Sequence, residues 1–239
     1  MALELERWQT PLDLSGRTVL DIGCADGGYA VEALRRGAVE VTAIDEQRLR
    51  GLDLLLRSYA VPRLDFQQIS IFSEAYLELP TYDYVIFAGV LYHVHDMMEA
   101  MKRVRAKTGS EALLETAFRE IDGHTAPLAS FHEKDECGGD ATNWWSPNLA
   151  CIEGMARAVG FSPERLYVHG DDARAQTGRV AYRLTPIDRG CESPMIESAI
   201  GNSGQIEAMY RRIQTLTEDL VALRRECRDA GLLPPKATP

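Results

Sequence analysis

The stretch from Thr18 to Gly28 restricts the chain more than any other. Thr18-Val19-Leu20 is a short apolar, partly β-branched run suited to a buried strand. It runs into Asp21 and then into a turn with glycines at 23, 27 and 28. Tyr29 to Arg36 then reads as a helix stopped by Gly37. Strand, glycine-rich turn and helix form the nucleotide-cradling unit of a doubly wound sheet. The glycines let the backbone approach a ligand, and the helix start offers free N–H groups.

Gly23-x-Ala25-x-x-Gly28 nearly fits the dinucleotide fingerprint, with Ala25 in the middle glycine's place. Asp21 points elsewhere. A carboxylate two residues before Gly23 meets a pyrophosphate badly, but it suits a cofactor that carries an ammonium and a sulfonium. S-adenosyl-L-methionine is therefore favoured over a nicotinamide dinucleotide. Gly23, Cys24, Ala25 and Gly27 are expected to line it, with Cys24 as a small filler rather than a nucleophile.

The rest of the chain extends the same pattern. Val39 to Ile44 is a second strand ending at Asp45, which lies 17 residues past Gly28, where an acidic residue takes ribose hydroxyls in such folds. The alternative for Asp45-Glu46 is a helix N-cap, since Arg48 to Ser58 reads as helical. Leu64 to Ile71 is a third strand, putting Ser70 and Ile71 at its carboxyl end near the expected adenine. Tyr82 to Ala88 is a fourth. Gly89 to His95 leads into a helix from Asp96 to about Lys107, with Asp96 and Glu99 spaced as a capping box. Ala112 to Thr116 is a fifth strand. Strands alternating with helices give a parallel sheet whose ligand lies outside the strands' carboxyl ends, where Asp21, Asp45, Ser70, Ala88 and Glu115 all fall.

Residues 117–148 show little regular pattern and read as a lid or substrate loop, with His124, His132, Asn143, Trp144 and Trp145 within it. Adjacent tryptophans argue against disorder, one packing inward and the other facing substrate. Ser146 or Pro147 then opens a helix through Ala158. Leu166 to His169 and Arg179 to Leu184 read as a closing antiparallel pair. Near the start, Trp8 either lies over the cofactor pocket or docks the N-terminal arm on the core. Residues 186–204 read as a linker. Met209, Ile213, Leu216, Leu220, Leu223 and Cys227 then make an a/d seam in an amphipathic helix over 205–229. That helix docks on its own domain or pairs with a second copy as a homo-oligomer.

Composition limits the function classes. A net charge of −10 argues against wide contact with a phosphate backbone. Five scattered cysteines form no CxxC and no metal-ligand spacing, which predicts a reduced protein without a metal. No signal-peptide pattern opens the chain and no run is long enough to span a bilayer, so a soluble cytoplasmic protein is expected.

Four pieces together carry a resemblance across roughly residues 8–185: Thr18 to Cys24, Tyr82-Asp83 through Gly89-Val90-Leu91-Tyr92-His93, Leu114-Glu115-Thr116, and the aromatic segment leading to Pro147 before a helix that ends at Gly160-Phe161. The chain resembles the class I S-adenosylmethionine-dependent methyltransferases, and within them the branch that contains the tRNA wobble-uridine carboxymethyltransferases. The resemblance implies a Rossmann-like, doubly wound, mostly parallel seven-stranded sheet with a C-terminal helix, over a domain at 1–185. It implies cofactor contacts from Asp21, Gly23, Cys24, Ala25, Gly27, Asp45, Glu46, Ser70, Ile71, Ala88 and Val90. The tRNA enzymes carry an N-terminal extension that this sequence does not show, and basic residues where it has Val94-His95-Asp96. They also use a carboxylated cofactor held partly by cationic side chains, for which the sequence offers no obvious match. The paired-tryptophan loop is similar to relatives associated with small-molecule or sugar methylation.

The expected function is O-methylation of a small molecule, sugar or glycolipid head group. The alternatives are a tRNA- or RNA-modifying methyltransferase, or a non-catalytic cofactor-binding subunit that docks a partner through the 205–229 helix. A bound sulfonium is already electrophilic, so the protein must align an acceptor and, for a hydroxyl, take its proton. His93 is the leading base, for its place after the fourth strand and its near-neutral pKa, and His95 is second. The other reading of His93 is that it packs under the lid and orients it. Tyr92, Glu115, His132, Asn143, Trp144 and Trp145 are the candidate substrate residues, Trp144 through a cation–π contact.

Overall fold

The computed structural model describes residues 2–58, 63–121, 123–170 and 177–187. The expected helix at 205–229 and nearly all of the expected linker lie outside the described residues.

A short helix, α1 (Ala2–Arg7), precedes β1 (Thr18–Ile22), α2 (Gly28–Arg35), β2 (Glu40–Asp45), α3 (Arg50–Ser58) and β3 (Leu64–Gln68). Then come α4 (Glu74–Leu77), β4 (Tyr82–Ala88), a 3-10 turn at Leu91–His93, α5 (Met97–Lys107) and the long β5 (Thr108–Arg119). The hairpin strands β6 (Ala129–Phe131) and β7 (Trp145–Pro147), then α6 (Leu149–Ala158), β8 (Phe161–Gly170) and β9 (Thr177–Pro186), complete the order.

Seven strands form one sheet in the order β3-β2-β1-β4-β5-β9-β8. The first five are parallel, and β9 runs antiparallel between β5 and β8. This is the α/β doubly wound sheet that the sequence predicts, and its central strands are buried on both faces, as parallel strands must be. Successive side chains alternate between two cores. Leu20, Ile22, Val85, Phe87 and Leu114 pack with α5 and α6. Val19, Val41, Ala43, Tyr84, Ile86 and Leu113 pack with α1, α2 and α3. The same alternation turns Asp21, Ala88, Glu115 and Arg179 toward the second face.

Several boundaries differ from the sequence expectation. β3 ends at Gln68, so Ser70 and Ile71 are not strand residues. The Ser70 hydroxyl instead accepts the backbone N–H of Phe72, which turns the chain toward α4, and Ile71 packs into the core. The segment at 117–148 is more regular than its composition suggests. β5 continues to Arg119, and Ala129–Phe131 pairs with Trp145–Pro147. α6 begins at Leu149, because Asn148 is its N-cap and accepts the Cys151 N–H at 2.8 Å. Pro186, assigned to the linker, closes β9.

Candidate functional site

The glycine turn is held by its neighbours before any ligand is considered. Gly23 has φ +71° and Gly27 φ +77°, and Ala25 is itself left-handed at φ 47°. A Cβ on Gly23 would lie 2.4 Å from Val90 Cγ2, so the turn and the loop after β4 meet in direct contact. Asp45 secures the turn from the end of β2. Its carboxylate accepts the Ala25 N–H at 2.9 Å and the Gln47 N–H at 2.9 Å. It does not cap α3, which starts further along at Arg50. Glu46 is exposed and accepts the Ser70 hydroxyl at 2.5 Å.

Asp21 is 1% exposed, and its Oδ2 has no hydrogen-bond partner. Burial raises its pKa to about 7, with Asp45 adding repulsion, against one favourable backbone N–H from Ala30. Burial also pushes the Cys24 thiol up, which fits a filler and not a nucleophile. A buried carboxylate with one oxygen unpartnered, Asp45 bonded to the same turn, and no cationic side chain in that turn fit a cofactor bearing an ammonium and ribose hydroxyls.

A cavity of about 230 Å³ opens at the carboxyl ends of β4 and β5. Ala88, Gly89 and Glu115 form its floor. Glu4 and Arg7 of α1, Trp8 just after it, Tyr29 of α2, and Tyr167, His169 and Arg179 also line it. Trp8 is buried against the core, as one of its two expected roles has it, and it also lines this cavity. Its ring lies 5.6 Å from that of Tyr29. The phenol of Tyr29 is pushed above its ordinary pKa by burial and then by Glu4, Glu115 and Asp21.

Arg179 was not legible in the sequence. It grips Glu115 through Nε and Nη2, each at 2.6 Å, and its Nη1 donates to the Tyr92 hydroxyl at 2.8 Å. Burial works against the guanidinium charge, but the Glu115 bonds outweigh it and hold the pKa above its ordinary range. Glu115 thus meets the cavity as one half of an ion pair with Arg179.

The loop after β4 is clasped by the segment at 120–148. Trp144 N–H donates to the Tyr92 carbonyl at 2.9 Å, and Trp145 Nε1 donates to the His95 carbonyl at 3.1 Å. The Trp144 ring stands 4.2 Å from His95. His93 lies against the same segment, its Nδ1 2.9 Å from the Thr142 carbonyl. Neither tryptophan is among the residues lining this cavity, and both hold the loop. His132 is 5% exposed and bonds Ser146 Oγ at 2.8 Å across the hairpin, so it is a structural residue there. Asn143 donates to the Cys137 carbonyl at 2.8 Å, with its Oδ1 unpartnered.

Among the described residues no group of three or more His, Cys, Asp or Glu side chains could hold a metal ion. No helix among them is long and apolar enough to cross a membrane.

Comparison with known proteins follows the same lines. The model of a family described as methyltransferase domain matches residues 2–162. The tRNA U34 carboxymethyltransferase of Pseudomonas aeruginosa (strain LESB58) is 29% identical over 163 residues, 67% of this chain and 49% of that protein. The tRNA U34 carboxymethyltransferase of Azotobacter vinelandii is 30% identical over 198 residues, 77% of this chain and 61% of that protein. The chain thus spans about half the length of the curated relatives it matches. The solved Burkholderia thailandensis 1,6-didemethyltoxoflavin-N1-methyltransferase, with bound 1,6-didemethyltoxoflavin and S-adenosylhomocysteine, shares the fold. It has a TM-score of 0.52 and 18% identity, over 73% of this chain and 72% of that one.

Proposed function

Given that this chain belongs to the class I S-adenosylmethionine-dependent methyltransferases, we propose that it methylates an oxygen of a small acceptor: a small molecule, a sugar or a glycolipid head group. The observation that carries this reading is the 230 Å³ cavity beside Ala88 and Gly89, lined in part by Glu4 and Arg7 of α1. It is small, and it carries matched charge in Glu115 and Arg179 in place of a basic groove.

Asp21 would take the ammonium of S-adenosylmethionine, and Asp45 and Glu46 its ribose hydroxyls. Gly23, Cys24, Ala25, Gly27, Ile71 and Val90 shape the surface around it. When bound, the cofactor supplies a methyl group on a positively charged sulfur. The protein's part is to orient the acceptor against the Glu115–Arg179–Tyr92 group and to remove its proton. His93 is the proposed proton acceptor.

A radiolabelled-methyl transfer assay against fractionated small molecules from the host tests the reading. Label should enter a small acceptor, and His93→Gln should lower turnover by about 10²-fold or more while leaving cofactor affinity unchanged. Label that enters only RNA, or no acceptor, sinks it.

One observation favours a second reading, a tRNA-modifying enzyme with a carboxylated cofactor. Arg179 and Arg7 line the cavity and could meet an added carboxylate. Against it, the Arg179 charge is already matched by Glu115, and the chain's net charge of −10 opposes tRNA. Calorimetry decides: carboxylated S-adenosylmethionine binding at least tenfold tighter than S-adenosylmethionine, with the preference lost in Arg179→Met, would support this second reading.

A further inference from the structure

We propose that Asp140 and Thr142 are positioning residues that fix the His93 imidazole with its proton on Nδ1 and its Nε2 open. What the open nitrogen does rests on the methyl-transfer reading above; the fixing of the ring does not.

The hydrogen-bond directions follow from which groups can donate. A carboxylate only accepts. Asp140 Oδ1 lies 2.8 Å from the Thr142 backbone nitrogen and 2.7 Å from Thr142 Oγ1. Those bonds, the side-chain one first, hold the Asp140 pKa below the ordinary carboxylate value, so it is ionised at neutral pH. The one hydroxyl proton of Thr142 is therefore committed to Asp140. What Oγ1 offers to His93 Nδ1, 3.1 Å away, is a lone pair. The Thr142 carbonyl, 2.9 Å from the same nitrogen, offers another. Two acceptors face one ring nitrogen, so that nitrogen carries the proton. With its proton on Nε2, Nδ1 would set its own lone pair against two others at hydrogen-bond distance.

A neutral imidazole has one N–H, so Nε2 keeps its lone pair. No hydrogen bond to Nε2 is present among the described residues. This reverses the usual preference of a solvated histidine, whose proton sits on Nε2. The groups packed on the ring are few: the Tyr92 ring at 4.2 Å, and Asp140 acting through Thr142. When Nε2 takes a proton from an acceptor hydroxyl, the imidazolium gains from the nearby Asp140 charge, and it returns that proton to water.

Long-range proton–nitrogen correlation NMR on protein labelled at its five histidines tests this at a pH where they are neutral, with His93 assigned through His93→Gln. The wild type and Thr142→Ser should show His93 protonated on Nδ1. Thr142→Val, which leaves the carbonyl as the one acceptor at Nδ1, and Asp140→Asn, which frees the Thr142 hydroxyl to donate, should both show a larger share of the Nε2 tautomer than the wild type. In methyl transfer, Thr142→Val should lower kcat about tenfold with KM unchanged and move the acid limb of the pH profile, and Thr142→Ser should restore both. A wild type protonated on Nε2, or wild-type tautomer and kcat in both Thr142→Val and Asp140→Asn, overturns the proposal. A fixed tautomer in an enzyme whose His93→Gln variant transfers at the wild-type rate overturns instead the role of His93 as base.

Discussion

Arg179 reaches across from β9 to hold both carboxylate oxygens of Glu115, with two bonds of 2.6 Å, although the two residues lie 64 positions apart in the chain. The acid is 2% exposed at its side chain and the base 40%, so the pair is asymmetric. Losing the arginine strands a buried charge, whereas losing the acid leaves a guanidinium that reaches water. Breaking a buried pair by removing one partner costs about 3–5 kcal/mol. Arg179→Met should approach the lower end of that range in urea unfolding, and Glu115→Gln should cost clearly less. Equal losses would show that the pair is not the buried unit described.

In the role proposed for it, Asp21 should make cofactor binding depend on pH. With its pKa raised to about 7, it is mostly neutral at pH 6 and mostly ionised at pH 8. A ligand ammonium needs the ionised form. S-adenosylhomocysteine affinity should therefore rise roughly tenfold between those limits, by linkage. Asp21→Asn should bind more weakly and show no such rise in calorimetry. The stability of the ligand-free protein has the opposite sign. A folded pKa above the unfolded value favours folding at low pH, so the Asp21 contribution is full below about pH 4 and fades as pH rises through 7. Thermal melts of wild type and Asp21→Asn across that window should diverge as pH increases.

Gly23→Ala should damage the turn twice. The left-handed backbone costs a side chain about 1–2 kcal/mol, and the new methyl would stand 2.4 Å from Val90 Cγ2. Adding Val90→Ala should relieve the second penalty and leave the first. A double variant no more stable than Gly23→Ala in thermal melts would remove Val90 from this account.

Asn148 ties the segment at 120–148 to α6. Its Oδ1 accepts from Cys151 N at 2.8 Å and Leu128 N at 3.1 Å, and its Nδ2 donates to the Ala126 carbonyl at 2.8 Å. Asn148→Ala should cost ~2–3 kcal/mol, a lost cap plus buried groups left unpaired. Limited proteolysis should then cut within residues 120–148 well before the wild type is cut. Unchanged cleavage would contradict the tie.

Much of the sheet could be read from the chain because its strands are short apolar runs ending in polar residues at ligand-facing positions. Asp21 and Asp45 stand at such ends for that reason. Ser70 was misplaced because the pattern Phe66 to Ile71 continues past Gln68, where the ladder to Asp45 stops. The β6–β7 hairpin was missed because three-residue strands leave no periodicity to detect. Arg179 was visible only as the first residue of an expected strand. Nothing near it in sequence reveals that its partner is Glu115, since antiparallel pairing with β5 creates that meeting. The tie between His93 and Thr142 spans 49 residues and is hidden in the same way.

The position of β9 between β5 and β8 has a consequence for biosynthesis. A nascent chain that has emerged only as far as residue 162 already contains every residue matched by the family model, yet it lacks the strand that neutralises Glu115. The glycine turn can form early on the ribosome, but the cavity wall around Glu115 is finished only when β9 slots between β5 and β8. Ribosome-stalled chains halted before and after β9 emerges should accordingly differ in protease resistance around Glu115, and no difference would show that the wall sets without it.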